Sequence, residues 1–241
     1  MSAYGAAVPL TVIAHRGASG TRPENTLVAF RRAFELGAHM IELDVQPTRD
    51  GAVVVMHDDT LERTTNGRGR VTTHRLTDLQ TLDAGTWFAP AYAGERIPTL
   101  GEVLTAVPIP INVELKPGKD PGFEERALEV VAAAGALDRI VFSSFDAESL
   151  LRLRAASAEA AIAVLWYRRR LAAALHLAGR AGAIALHLRK DAVSPAGVRE
   201  ATAAGLEVRA WTVNDPADSA ALEAAGVRGV FTDFPERFLH T

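Results

Sequence analysis

At 241 residues, 48% of them hydrophobic and 23% charged, the chain has the size and composition of one large globular domain with a sizeable core. A net charge of −3 gives no basic footprint for nucleic acid or an anionic membrane. The absence of cysteine excludes disulfides and thiolate zinc sites but leaves the compartment open.

From the N-terminus, Met1 to Leu10 has neither a basic start nor an apolar stretch long enough for a secretory signal. No later segment has the uninterrupted apolar length of a membrane span. A cytoplasmic protein without stable membrane insertion is the expectation. Short Val/Ile-rich runs then alternate with helical patterns. Strands are predicted to begin near Thr11, His39, Val53, Ile111, Ile140, Ala161, Ala183, Glu207 and Gly229. Helices are predicted over Thr26–Leu36, Phe123–Ala134, Ala147–Ala156, Pro195–Ala204 and Pro216–Ala225. Gly37, Gly135, Gly205 and Gly226 follow such patterns, where a left-handed cap favours glycine. Helix–Gly–strand steps repeated along a chain are the mark of βα units.

One strand breaks the rhythm. Val53 to Met56 follows the strand around Glu42 too closely for a crossover helix, and Asp50-Gly51 is a hairpin-turn signal. Setting this antiparallel partner aside leaves about eight helix-linked strands, the number of a (β/α)8 TIM barrel. The hairpin is expected to pair Arg49 with Ala52, which places Asp44 directly across from His57, roughly 4.5–5.5 Å away at Cα. Residues 60–98, rich in Thr, Gly and Arg and carrying Trp87, Phe88 and Tyr92, read as a small insertion over the barrel mouth after the second barrel strand. The expected organisation is a single domain over residues 1–241.

Chemistry concentrates at a few places. In Glu42-Leu43-Asp44 and Glu114-Leu115-Lys116 the ionisable residues lie two apart in apolar runs, so each pair points to one strand face. Inward charges are costly unless they are paired or hold a cation. Glu42, Asp44 and Glu114 offer only carboxylate oxygen, which suits one divalent cation, Mg2+ or Ca2+. The plainer alternative is a structural ion network with Arg16 and Lys116, although buried ion pairs by themselves rarely stabilise. Arg16 and Lys116 follow strand ends, where barrels place chemistry, and suit an anionic phosphate. His15 and His57 come from different strands; one imidazole taking a proton and another giving one is what phosphodiester cleavage needs. His187 lies on a strand and is a further candidate for the barrel interior, while His39, His74, His176 and His240 read as surface or element-end residues. Asn25 or Thr26 is expected to be a helix N-cap. Trp211 and Phe145 are each either core or pocket wall. Arg168-Arg169-Arg170 reads as a solvated helix face.

Together, His15-Arg16-Gly17, Pro23-Glu24-Asn25-Thr26, Glu42-Leu43-Asp44-Val45, His57-Asp58, Glu114-Leu115-Lys116, Trp211-Thr212-Val213-Asn214 and Thr232-Asp233-Phe234-Pro235 resemble the glycerophosphodiester phosphodiesterase family, in family order over essentially the whole chain. The resemblance implies a TIM-barrel hydrolase that cleaves a small glycerophosphodiester to glycerol 3-phosphate and an alcohol. It implies Glu42, Asp44 and Glu114 as metal ligands, and His15 and His57 as acid and base. It further implies Arg16 and Lys116 on the phosphate, with Trp211 and Phe145 bordering the glycerol. Two other readings compete: the same machinery acting on a lysophospholipid, and a non-catalytic barrel that binds phosphorylated metabolites.

Overall fold

A computed structural model describes residues 10–116 and 120–239. Among the described residues nine strands form one sheet: β1 (Thr11–Ala14), β2 (Met40–Pro47), β3 (Val53–Val55), β4 (Ile111–Leu115), β5 (Ile140–Ser144), β6 (Ala161–Trp166), β7 (Ala185–Arg189), β8 (Glu207–Trp211) and β9 (Gly229–Thr232). All but β3 are parallel, and β1 pairs with both β2 and β9, so eight strands close into a barrel. The helices are α1 (Leu27–Glu35), α2 (Leu76–Leu79), α3 (Leu100–Ala106), α4 (Phe123–Ala133), α5 (Ala147–Ala156), α6 (Ala172–Ala181), α7 (Pro195–Ala203) and α8 (Pro216–Ala224). All except α2 link successive barrel strands, giving the expected (β/α)8 architecture. No helix among the described residues is long and apolar enough to cross a membrane.

Local chemistry fixes the helix ends. Ser194 and Asp215 cap α7 and α8 with their side chains, and Pro195 and Pro216 occupy the first turn, where a missing N–H costs nothing. Thr99 and Glu102 form a reciprocal capping box on α3, a helix the apolar pattern alone does not announce.

Strand alternation separates two environments. On β2, Ile41, Leu43 and Val45 pack outward with Phe30 of α1 and Val103 of α3, and on β4 Ile111, Val113 and Leu115 join the same layer. The intervening residues point into the barrel: Met40 with Ile13, Val141, Ala163, Ala185 and Phe231 at the base, then Glu42 and Asp44 above. A one-residue slip of β2 would turn Leu43 inward and push Glu42 and Asp44 into the helix layer. With about 1.5–3 kcal/mol for each buried aliphatic side chain, the apolar row holds the acids facing inward.

The hairpin corrects one expectation. The observed register pairs Val45 with Val55 and Pro47 with Val53, so Asp44 lies across from Met56, whose N–H donates to the Asp44 carbonyl, and not from His57. The turn holds three residues, Arg49, Asp50 and Gly51, closed by a bond from the Thr48 N–H to the Ala52 carbonyl. Gly51 at φ +83° supplies the left-handed residue that a three-residue loop needs, where a two-residue turn was expected. His57 nevertheless reaches the barrel mouth, because β3 ends at Val55 and His57 lies beyond the ladder.

Strand β2 changes partner along its length. Its start pairs with β1 at Met40 and Ile41, and its end with β3 from Val45 to Pro47. Glu42 and Leu43 lie in the gap between those two partners, with Asp44 at the edge of the second, where its carbonyl accepts from the Met56 N–H. The segment after β3 builds a small satellite core on the hairpin from Val54, Met56, Leu61, Val71, Leu79, Ala84 and Ile97. Arg168, Arg169 and Arg170 are exposed but lie in the β6–α6 loop, not on a helix face; Leu171 interrupts the run before the helix begins.

Candidate active site

The first strand ends in a tight turn. Gly17 has φ +82°, and a Cβ there would sit 2.7 Å from the Ala29 carbonyl carbon, so only glycine lets the loop lie on α1. Arg16 and Asn25 both adopt φ +57°, an uncommon conformation for residues with a side chain. Each is tied to the acids. The Arg16 N–H donates to Glu42 Oε2 at 2.9 Å, and Asn25 Nδ2 donates to Asp44 Oδ2 at 2.8 Å. The N-cap expectation therefore divides. Thr26 caps α1 by accepting from the Ala29 N–H, whereas Asn25 orients a buried carboxylate.

Glu42, Asp44 and Glu114 are all buried, and one oxygen from each lies within 4.8 Å of the others. Two ligands on opposite sides of a cation with bonds of about 2.0–2.6 Å stand at most about 5 Å apart, so the trio has the span and the donor chemistry for a hard divalent ion. Lys116 Nζ lies 2.8 Å from Asp44 Oδ1 and 2.6 Å from Glu114 Oε1. Arg16 Nε approaches Asp44 Oδ2 at 3.4 Å without the alignment of a hydrogen bond. The charges are unevenly shared. Burial would raise Asp44, but Lys116 and Arg16 hold it well below the usual carboxylate range. Burial and the negative charge of Asp44 push Glu42 up to about 8, and burial with Asp44 also raises Glu114. With all three acids ionised, as ligation of a cation requires, their charge exceeds that of the two fixed cations by one, a deficit that a divalent ion would fill.

Each imidazole is oriented by a carboxylate. His15 Nδ1 lies 2.7 Å from Asp233 Oδ1, and Asp233 is itself held by Ser19 Oγ and by Asn214 Nδ2. His57 Nδ1 lies 2.6 Å from Asp58 Oδ1. In both rings this leaves Nε2 as the remaining nitrogen. Burial opposes protonation of His15, but the Asp233 bond and Glu42 outweigh it and raise its pKa. For His57 burial dominates and, with Lys116 and Arg16 nearby, outweighs Asp44 to lower the pKa.

His15, Arg16, Glu42, His57, Glu114, Lys116, Phe145 and Trp211 line one cavity of about 110 Å³, with Asn112, Leu165, Thr212 and Phe231. Asp44 does not line the cavity but is buried and paired with Lys116, which does. Phe145 and Trp211 meet edge to face at 5.5 Å between ring centres, which resolves both as pocket wall. His187 is not part of this wall: its ring is fully buried against Phe231, and burial drives its pKa far down. His39 accepts from the Val12 N–H and His74 bonds the Arg68 carbonyl, as element-end residues, and His240 lies outside the described residues. Residue types alone did not disclose Asp233, Asn214, Ser19 and Arg63. The only signal for the first two was their place in the motifs around Trp211 and Thr232.

Fold and site together define a (β/α)8-barrel enzyme of the hydrolase type, with acids, imidazoles and cations gathered at the C-terminal strand ends. The chain belongs to the glycerophosphoryl diester phosphodiesterase family, whose sequence profile matches residues 15–237. A glycerophosphodiester phosphodiesterase of Caldanaerobacter subterraneus subsp. tengcongensis is 41% identical over 234 residues, covering 95% of this chain and 96% of that one. One from Bacillus subtilis is 35% identical over 249 residues, covering 95% and 85%. Among solved structures, an Oleispira antarctica phosphodiesterase in complex with the product sn-glycerol-3-phosphate superposes with a TM-score of 0.89 at 34% identity, covering 95% of this chain and 94% of that one.

Proposed function

We propose that this chain hydrolyses glycerophosphodiesters to glycerol 3-phosphate and an alcohol, with His15 and His57 as the proton-transfer pair and Glu42, Asp44 and Glu114 as ligands of one divalent cation. The observation that carries the reading is a single cavity lined by both imidazoles, both cationic side chains and two of the three acids. The product held by the Oleispira antarctica relative supports the same substrate class.

Arg16 and Lys116 would neutralise the nonbridging phosphate oxygens, and their fixed positions lower the reorganisation needed as charge builds on phosphorus. One imidazole takes the proton from the attacking oxygen; the other gives a proton to the oxygen of the departing alcohol. Asp233 and Asp58 hold the two rings in register for this and favour the tautomer protonated at Nδ1. Phe145 and Trp211 offer an apolar wall to the glycerol carbons. When bound, the divalent cation would supply additional positive charge to the phosphate.

The test is turnover of glycerophosphocholine, followed by release of glycerol 3-phosphate, with and without EDTA. Turnover that EDTA abolishes and Mg2+ or Ca2+ restores is expected. Cleavage to phosphocholine and glycerol, or full activity in EDTA, would refute the reading. Parallel incubation with lysophosphatidylcholine separates it from a lysophospholipase D activity.

A further inference from the structure

Arg63 lies in a turn of the inserted segment, outside every barrel strand and helix. Its guanidinium makes two forks. Nε and Nη2 donate to Asp58 at 2.6 and 2.9 Å, and Nη1 and Nη2 donate to Glu24 at 2.7 and 2.8 Å. Each carboxylate has a second client. Asp58 Oδ1 is the oxygen bonded to His57 Nδ1, and Glu24 Oε1 accepts from Arg16 Nη1 at 2.9 Å. An unbroken chain therefore runs His57–Asp58–Arg63–Glu24–Arg16, from the far side of the hairpin to the loop after β1.

We propose that Arg63 is a positioning residue that sets His57 and Arg16 relative to one another by clamping Asp58 and Glu24 on a single planar cation. The inference rests on the proposed function, in which His57 moves a proton and Arg16 holds phosphate. Its physical basis is geometric. An exposed ion pair contributes little to stability, and the Arg63 side chain is 44% exposed. Two bidentate forks on one rigid guanidinium, however, fix the planes of both carboxylates. The surrounding segment does not depend on Arg63 to hold together, because Leu61, Leu79 and Ile97 pack on Val54 and Met56 of the hairpin. Loss of the clamp thus acts on the alignment of reacting groups, where a misplacement of about 1 Å costs up to about 100-fold in rate.

The experiment uses the full chain with divalent cation and glycerophosphocholine. Arg63→Ala is expected to lower kcat by about 10- to 100-fold and raise KM, with Tm shifted by no more than about 4 °C. Arg63→Lys should not recover activity, since one ammonium cannot form two forks. Methylguanidine at a non-denaturing concentration should restore Arg63→Ala through the exposed site. In an Asp58→Ala, Glu24→Ala background, Arg63→Ala should add less than about 2-fold, because both arms are already cut. An active wild type with an unaffected Arg63→Ala overturns the inference. So does a loss that tracks a falling Tm, or one that methylguanidine leaves unchanged. A wild type inactive on the diester removes the functional reading itself, and this inference with it.

Discussion

Lys116→Met isolates the charge balance of the acidic cluster. Lys116 Nζ makes two short ion pairs, to Asp44 at 2.8 Å and to Glu114 at 2.6 Å, and the three side chains are 11%, 1% and 11% exposed. Removing one partner of a buried ion pair leaves an uncompensated charge and costs about 3–5 kcal/mol. At about 2–4 °C per kcal/mol for a chain of this length, Tm in EDTA should fall by about 6–20 °C. A divalent cation acts on the same oxygens. At 100-fold its Kd it stabilises the native state by about 2.7 kcal/mol, and more in the variant, which lacks a competing ammonium. Thermal unfolding of both proteins in EDTA, Mg2+ and Ca2+ is the assay. The deficit in EDTA should shrink to less than half at saturating cation. An equal deficit in every buffer would refute the reasoning, because the acids would then not be sharing an ion.

His15→Ala and His57→Ala should each lower kcat on glycerophosphocholine by at least about 100-fold with native circular dichroism; an unchanged kcat would remove that residue from the mechanism. Phe145→Ala, at an exposed wall position, should raise KM by about 5-fold, close to 1 kcal/mol, with Tm unaltered, and steady-state kinetics will detect it. Glu124 tests stability away from the site. Burial alone would raise its carboxyl, but bonds from Arg152 and Ser149 hold the pKa below its ordinary value of 4.5. A depressed carboxylate contributes stability that is complete above the unfolded pKa and is lost as pH falls through the lower, folded one. Glu124→Gln should therefore unfold about 1–2 kcal/mol more easily at pH 7, with the deficit narrowing below pH 4.5 in urea titrations. A deficit independent of pH would count against the ionised pair.

The approximate starts of the barrel strands were legible because each is a short apolar run beside a turn signal. The inward acids were legible for a similar reason: period-two spacing within β2 and β4 is a local property. His15, Arg16, His57 and Lys116 could be named from their residue types beside those strands. The hairpin register and the role of Asn25 failed because each is decided by a partner. The hairpin register turned on whether the loop after Thr48 held two residues or three, and Asp50-Gly51 suits both. Asn25 read as a cap because caps are local, while its bond to Asp44 spans 19 positions.

By itself, the sequence determined which side chains face the barrel interior and that oxygen donors, imidazoles and cations sit at strand ends, since pleat and turn preference act over a few residues. Only tertiary structure decided which carboxylate serves which group. Asp233 meets His15 from 218 positions away because closure sets β9 beside β1, and Arg63 reaches Glu24 because the inserted segment folds back against the loop after β1. Hydrogen bonds become specific at about 3 Å, a distance fixed by the closed barrel and not by neighbours in the chain.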